Sequence, residues 1–180
     1  MKSKKLLSII LALAMMFSVL PASTVLVYAD VITETISADT TWNDGDTVGG
    51  VTISGGTVTI NGDVGITAAI TIKGDVTFTG GGTLNRMSTS GNLIKVESGS
   101  LTLGNVTIDG NDVIISDSGA VAAINMADGT VIMNDGAKIT NHKRTSGYGP
   151  AVYMAGGNFK MKGGTISGCE SRNYGGAIYL

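Results

Sequence analysis

With 180 residues, 27 glycines, two prolines and one cysteine, the chain is long enough for a single ordinary domain and has no internal disulfide available to staple it. Its net charge of −2 becomes −5 once the three lysines of the first five residues are set aside, leaving nine basic side chains against 14 acidic ones. That balance excludes recruitment by charge to nucleic acid or to anionic membranes, because neither counterion release nor surface attraction would favour it.

In chain order the first feature is a leader. Lys2, Lys4 and Lys5 precede an uncharged apolar run from Leu6 to Leu20, then Pro21, and Val27 and Ala29 put small residues at the third and last positions before Asp30. This is the layout of a secretory signal peptide over residues 1–29, cut after Ala29. An uncleaved anchor would use the same apolar run, and Pro21 together with Val27-Tyr28-Ala29 argues for cleavage. No later segment is long and apolar enough to span a bilayer as a helix, so a secreted or extracellular cell-surface location is expected, with no transmembrane segment after cleavage.

Residues 30–50 are expected to form an N-terminal cap, and residues 51–180 a repeat. Val51-Thr-Ile53, Val58-Thr-Ile60, Ile70-Thr-Ile72, Val76-Thr-Phe78, Leu101-Thr-Leu103 and Val106-Thr-Ile108 each place a threonine between two apolar residues. Such alternation describes strands with one buried face. The Gly-Gly, Gly-Asp, Ser-Gly and Asn-Asp-Gly stretches between them are turn formers.

These runs fall into three series. The first is Val51/Ile53, Ile70/Ile72, Ile94/Val96, Ile124/Met126, Val152/Met154 and Ile178/Leu180, with successive spacings of 19, 24, 30, 28 and 26 residues. The second is Val58/Ile60, Val76/Phe78, Leu101/Leu103, Val131/Met133 and Phe159/Met161. The third is Val64/Ile66, Leu84, Val106/Ile108, Ile139 and Ile166. Strand order that holds while spacing drifts fits stacked coils whose corner loops vary in length. The fold class predicted is all-β: a right-handed parallel β-helix of three-strand coils, each strand pairing with its equivalent one coil away. Because Leu180 falls inside a first-series strand, the solenoid is expected to be truncated at its C-terminal end.

Gly175-Gly176-Ala177-Ile178 is similar to the G-G-A-I element of polymorphic outer-membrane-protein repeats. Gly163-Gly164-Thr165-Ile166-Ser167-Gly168 resembles the G-G-T-I-S-G element of repetitive surface proteins of Gram-positive bacteria. The likeness covers Gly91 to Leu180; Gly149-Pro150-Ala151-Val152 is a degenerate copy of the first element, and Phe159-Lys160-Met161-Lys162 departs from the accompanying F-x-x-N. The resemblance implies a pectin-lyase-like β-helix, bacterial origin, display at the cell surface and an adhesive role.

Two groups of residues are candidates for function. The first stacks at the corner after the third strand: Asp109-Gly-Asn-Asp112 with Asp117, then Asn141-His142-Lys143-Arg144, then Cys169-Glu170-Ser171-Arg172. Equivalent corners lie about 4.8 Å apart along the axis. By analogy with polysaccharide lyases of this general fold, Asp109, Asp112 and Asp117 would hold Ca²⁺ through hard oxygen ligands, and Lys143 or Arg144 would face the substrate's carboxylates. Against this, oppositely charged polar loops are what the solvated corners of a solenoid look like. On that view His142, the single histidine, is a solvated loop residue, Cys169 is a turn residue lacking an activating base, and no residue is catalytic. No cofactor or metal is indicated, and calcium lacks support because the Asp-Gly turns at Asp109, Asp128 and Asp135 follow neither a nonapeptide calcium repeat nor an EF-hand.

The second group lies on the outward side of the first strand, where Asn125, Tyr153 and Tyr179 should stack in one lane. Aromatic rings in a row can lie against sugar rings, although tyrosine is also simply a favoured strand residue. The function expected is a non-catalytic secreted or cell-surface β-helix with a structural, adhesive or glycan-contacting role, its partners being glycans or host or cell-surface components. The alternative is a secreted carbohydrate-active enzyme, a lyase or hydrolase of acidic polysaccharide.

Overall fold

The computed structural model describes residues 31–180, and the leader assigned to residues 1–29 lies outside the described residues. The described residues form 21 short strands and no helix, and every strand pairing is parallel. Parallel neighbours need a long connection between them, and here that connection is the rest of one coil. The chain is an all-β parallel β-helix.

Seven third-position strands, from Val31–Ile32 through Asp63–Ile66 and Thr107–Asp109 to Thr165–Ser167, make one sheet. First- and second-position strands share an 11-stranded sheet, because Thr52–Asn61 and Ile70–Thr79 run unbroken through both faces. The segment expected to be a cap adds strands to these same ladders: Thr35–Ile36 and Thr40–Asn43 pair with Thr52–Asn61, and Thr47–Val48 pairs with Asp63–Ile66.

Alternation of β-branched apolar and threonine residues fixes which side faces in. Ile53, Ile72, Val96 and Met126 are buried in successive layers, and Ile70, Ile94, Ile124 and Val152 do the same one pleat away. The third series likewise stacks Val64, Leu84, Ile108, Ile139 and Ile166. At the base of the core Trp42 meets Phe78 edge to face, ring centroids 6.0 Å apart, a favoured aromatic geometry.

Two features depart from the expected regular three-strand coil. Val58 pairs with Phe78 rather than Val76, so the second series is offset by two residues at that point, and the register shifts between Ile53 and Gly55. Lys73 and Gly74 lie opposite the single residue Ser54, a one-residue bulge; it offsets the odd spacing between Ile53 and Val58, so that both still face the core. Only glycine fits there, because a Cβ on Gly74 would run into the Ser54 carbonyl. The corner after the third strand, expected to be polar loops, instead carries a short ladder of its own: Ile114–Ile115, Lys143–Arg144 and Glu170–Ser171.

Candidate functional site

That fourth ladder decides the fate of the first candidate group. Ile115, Arg144 and Ser171 share a register position, and the slot points inward, so Arg144 is buried, neither solvated as a polar corner would have it nor facing a substrate as the enzyme alternative would. Its guanidinium donates to the carbonyl oxygens of Asp117, Gly119 and Tyr148, each at 2.9 Å, and to that of Val121. Burial lowers its pKa, opposed by the charge of Asp117. The side chain is committed to backbone and cannot meet a ligand.

Arg86, which the sequence pattern left unremarked, is a second buried cation. It occupies the inward slot that Val48 and Ile66 fill in the coils below. Its Nη1 donates to Gly91 O at 2.9 Å and its Nη2 to Ala122 O at 3.4 Å. Burial, then the nearby charge of Arg144, brings its pKa down to about 10, with Asp117 opposing. The corner segment from Asp117 to Ala122 is therefore held from below by Arg86 and from above by Arg144, and the Asp117 carboxylate accepts the Gly91 N–H at 2.8 Å. Buried cations persist when neighbours satisfy their donors, and here main-chain carbonyls do most of it.

His142 is corrected in the same way. It is buried, not solvated, with Nε2 3.4 Å from Ile108 O. Asn141 adopts φ of 59°, a left-handed turn that suits asparagine, and the residues after it alternate, His142 and Arg144 in, Lys143 out. Burial and the Arg86 charge push its pKa down to about 4, against Ile108 O and Asp109.

The carboxylates take separate structural tasks. Asp109 accepts from Asn111 N–H at 2.6 Å, from Thr140 Oγ1 at 3.1 Å and from Asn141 Nδ2 at 3.2 Å, tying two coils. Asp112, 68% exposed, pairs with Lys143 at 2.8 Å, which raises the lysine's pKa through that hydrogen bond and charge. Among the described residues no three His, Cys, Asp or Glu side chains converge as metal ligands. Cys169 is half-buried with its thiol directed at Ser167 O, 3.4 Å away, and burial pushes its pKa up, away from the thiolate.

The second group is brought together. Lys95, Asn125, Tyr153 and Tyr179 occupy one outward lane on successive coils. Asn125 Nδ2 donates to Ala120 O, which ties its side chain to the corner. The Tyr153 and Tyr179 rings lie 5.4 Å apart and 9° from parallel. Two more rings join them: Tyr148 sits 4.7 Å from Tyr179 and 5.9 Å from Tyr174. All four tyrosines among the described residues thus form one contiguous cluster.

Sequence reasoning missed Tyr148 and Tyr174, yet a signal exists. Each lies four residues before an inward first-strand residue, Val152 or Ile178, and each is followed by glycine. Gly149 and Gly175 have φ of 46° and 64°. A Cβ at either would come within 2.9 Å and 3.2 Å, respectively, of the Tyr179 Cβ, so glycine is what lets these corners approach the tyrosine lane.

Comparison with protein-family models, with curated proteins and with solved structures finds no match to this chain.

Proposed function

We propose that this chain is the β-helical part of a secreted or cell-surface bacterial protein that contacts glycans, on host or cell-surface components, through its tyrosine face. The observation that carries this is the gathering of Tyr148, Tyr153, Tyr174 and Tyr179 onto one face and corner of a rigid solenoid. Large amphipathic rings at the surface present apolar area at small entropic cost and retain a hydroxyl for hydrogen bonding. Tyr153, Tyr179 and Tyr148 spend ring area on one another, whereas Tyr174 is 72% exposed and offers a platform for the C–H face of a sugar. Lys95 and Asn125, in the same lane, add polar donors. A leader at residues 1–29 supplies the route to the outside, and the resemblance to pectin-lyase-like right-handed surface repeats agrees with it.

An acidic-polysaccharide enzyme gains no support from the corner: Arg144 is turned inward and Lys143 is occupied by Asp112. The test is a glycan-array screen of the full chain followed by calorimetry on the strongest oligosaccharide. Tyr174→Ala should weaken binding at least about tenfold, the scale of losing one good contact, with the circular dichroism spectrum unchanged. Binding that survives both Tyr174→Ala and Tyr153→Ala, or no glycan bound at all, would overturn the proposal.

A further inference from the structure

We propose that the tyrosine cluster is also a site of oxidative cross-linking, in which Tyr148 is joined by a carbon–carbon bond to Tyr174 on the next coil. This goes beyond glycan contact and does not depend on it.

The geometry has three parts. Tyr148 and Tyr174 lie 5.9 Å apart between centroids and 14° from parallel. Both stand on glycine-bearing corners rather than inside strands, and Tyr148 has Gly147 and Gly149 on either side, with φ of 86° and 46°. The rings can therefore adjust as a bond forms, whereas Tyr153 and Tyr179 are fixed by strand pairing at about 4.8 Å backbone spacing. Finally, Tyr174 is exposed to an external oxidant, and the contacts of Tyr148 with Tyr174 and Tyr179 give a radical a short path inward.

The co-reactant is a haem peroxidase with hydrogen peroxide. Each phenol gives up one electron and one proton, and the peroxide is reduced to two waters. Unpaired density in a phenoxyl radical resides on oxygen and on the ring carbons ortho to it, in orbitals perpendicular to the ring. Rings lying face to face present those lobes to each other. The two ortho carbons bond, and each then passes its proton to its own oxygen, restoring two phenols. The net change is loss of two hydrogens and gain of one covalent tie between successive coils.

The experiment treats the dilute full chain with peroxidase and peroxide and maps the products after trypsin by mass spectrometry. Cleavage after Arg144, Lys160 and Arg172 puts Tyr148 in the peptide Thr145–Lys160 and Tyr174 in Asn173–Leu180. The expected product joins these two peptides with loss of two hydrogens, and fragment ions place the bond at Tyr148 and Tyr174. Tyr148→Phe and Tyr174→Phe keep the rings in place but remove a phenol, so each should abolish the Tyr148–Tyr174 bond and cut the total yield of joined peptides at least about tenfold, because the held partner is lost. Tyr153→Phe should leave it unchanged. Absence of the joined peptides, a link found only in covalent dimers of the chain and not in the monomer, or an undiminished yield in Tyr148→Phe overturns the proposal.

Discussion

Arg144 donates a hydrogen bond to the carbonyl oxygen of Tyr148, 2.9 Å away, so a cation inside the solenoid fixes the backbone beneath a ring that touches two others. The same guanidinium reaches the corner of the coil below through Asp117, Gly119 and Val121. A buried side chain is thus the link between core packing and the shape of the surface cluster.

Removing it should cost stability and order together. Arg144→Ala leaves the Val121 and Tyr148 carbonyls without a donor, while that of Gly119 keeps the Val121 N–H and that of Asp117 keeps Ser146 Oγ, and buried unsatisfied groups cost about 1–3 kcal/mol each before relaxation and water entry. A net loss of about 3–5 kcal/mol is expected, comparable to breaking other buried charged networks. Calorimetric unfolding measures this, and near-ultraviolet circular dichroism of the tyrosines reports whether Tyr148 has moved. Arg144→Lys should recover little, since an ammonium cannot span carbonyls with a planar fork. An Arg144→Ala protein with unaltered stability and tyrosine signal would show that the carbonyls do not need the guanidinium.

Acid should weaken the fold through His142. Its folded pKa lies at about 4 against an ordinary value of 6.5, with burial the main cause and the Arg86 charge the next. Between those values the unfolded chain binds the proton and the folded chain does not, so lowering pH favours unfolding. The histidine's contribution is intact above about pH 6.5, declines as pH falls towards 4, and is fully lost below that, a total of about 3 kcal/mol. Urea unfolding at pH 7 and at about pH 4.5 should show the drop in the native protein and a smaller one in His142→Gln. Equal drops in the two proteins would remove His142 from the cause.

These two side chains also mark where the sequence stopped being legible. The alternating runs of the first series gave inward Ile53, Ile72, Ile94 and Ile124 directly, because apolar and β-branched residues fit only one side of such a strand. Arg86, His142 and Arg144 follow the same alternation but carry charge or a titratable ring, and composition argues for placing such groups outside. The available signal was phase: Leu84-Asn85-Arg86 has the spacing of Val64-Gly65-Ile66, one coil below. The pairing of Val58 with Phe78 was hidden for a related reason, since Val76 and Phe78 are both apolar and inward and the pattern alone does not say which of them Val58 meets. Tyr153 and Tyr179 were visible as strand residues in register. Tyr148 and Tyr174 lie in corners outside the strand alternation, and only their shared place four residues before Val152 and Ile178 marks them.

The two aspartates of the Asp109-Gly-Asn-Asp112 corner should behave differently. Asp109 is partly buried and accepts three kinds of donor on two coils, so Asp109→Ala should cost about 1–3 kcal/mol. Asp112 holds only an exposed ion pair with Lys143, and Asp112→Asn should leave the melting temperature unchanged at physiological salt. Thermal melts of both variants separate the roles. A large loss on Asp112→Asn would mean that the corner uses this charge for more than a surface pair.

The backbone slip offers the sharpest steric test. At Gly74 the backbone lies against the coil below so closely that a Cβ would collide with the Ser54 carbonyl, an atom that cannot swing aside as a side-chain tip could. Gly176 has open space around the same position and no positive φ. Adding one methyl group to each therefore isolates contact from intrinsic preference, since both substitutions lower the entropy of the unfolded chain alike and favour folding by about 0.4–1 kcal/mol. Gly176→Ala should be neutral or slightly stabilising. Gly74→Ala should lose about 2–4 kcal/mol, as expected when overpacking shifts backbone, and the loss should be accompanied by faster amide exchange along Thr52–Asn61 and Ile70–Thr79, the two long strands that the slip aligns. Matching stabilities for the two variants would mean that these strands pair in a different register, with Val58 opposite Val76 after all.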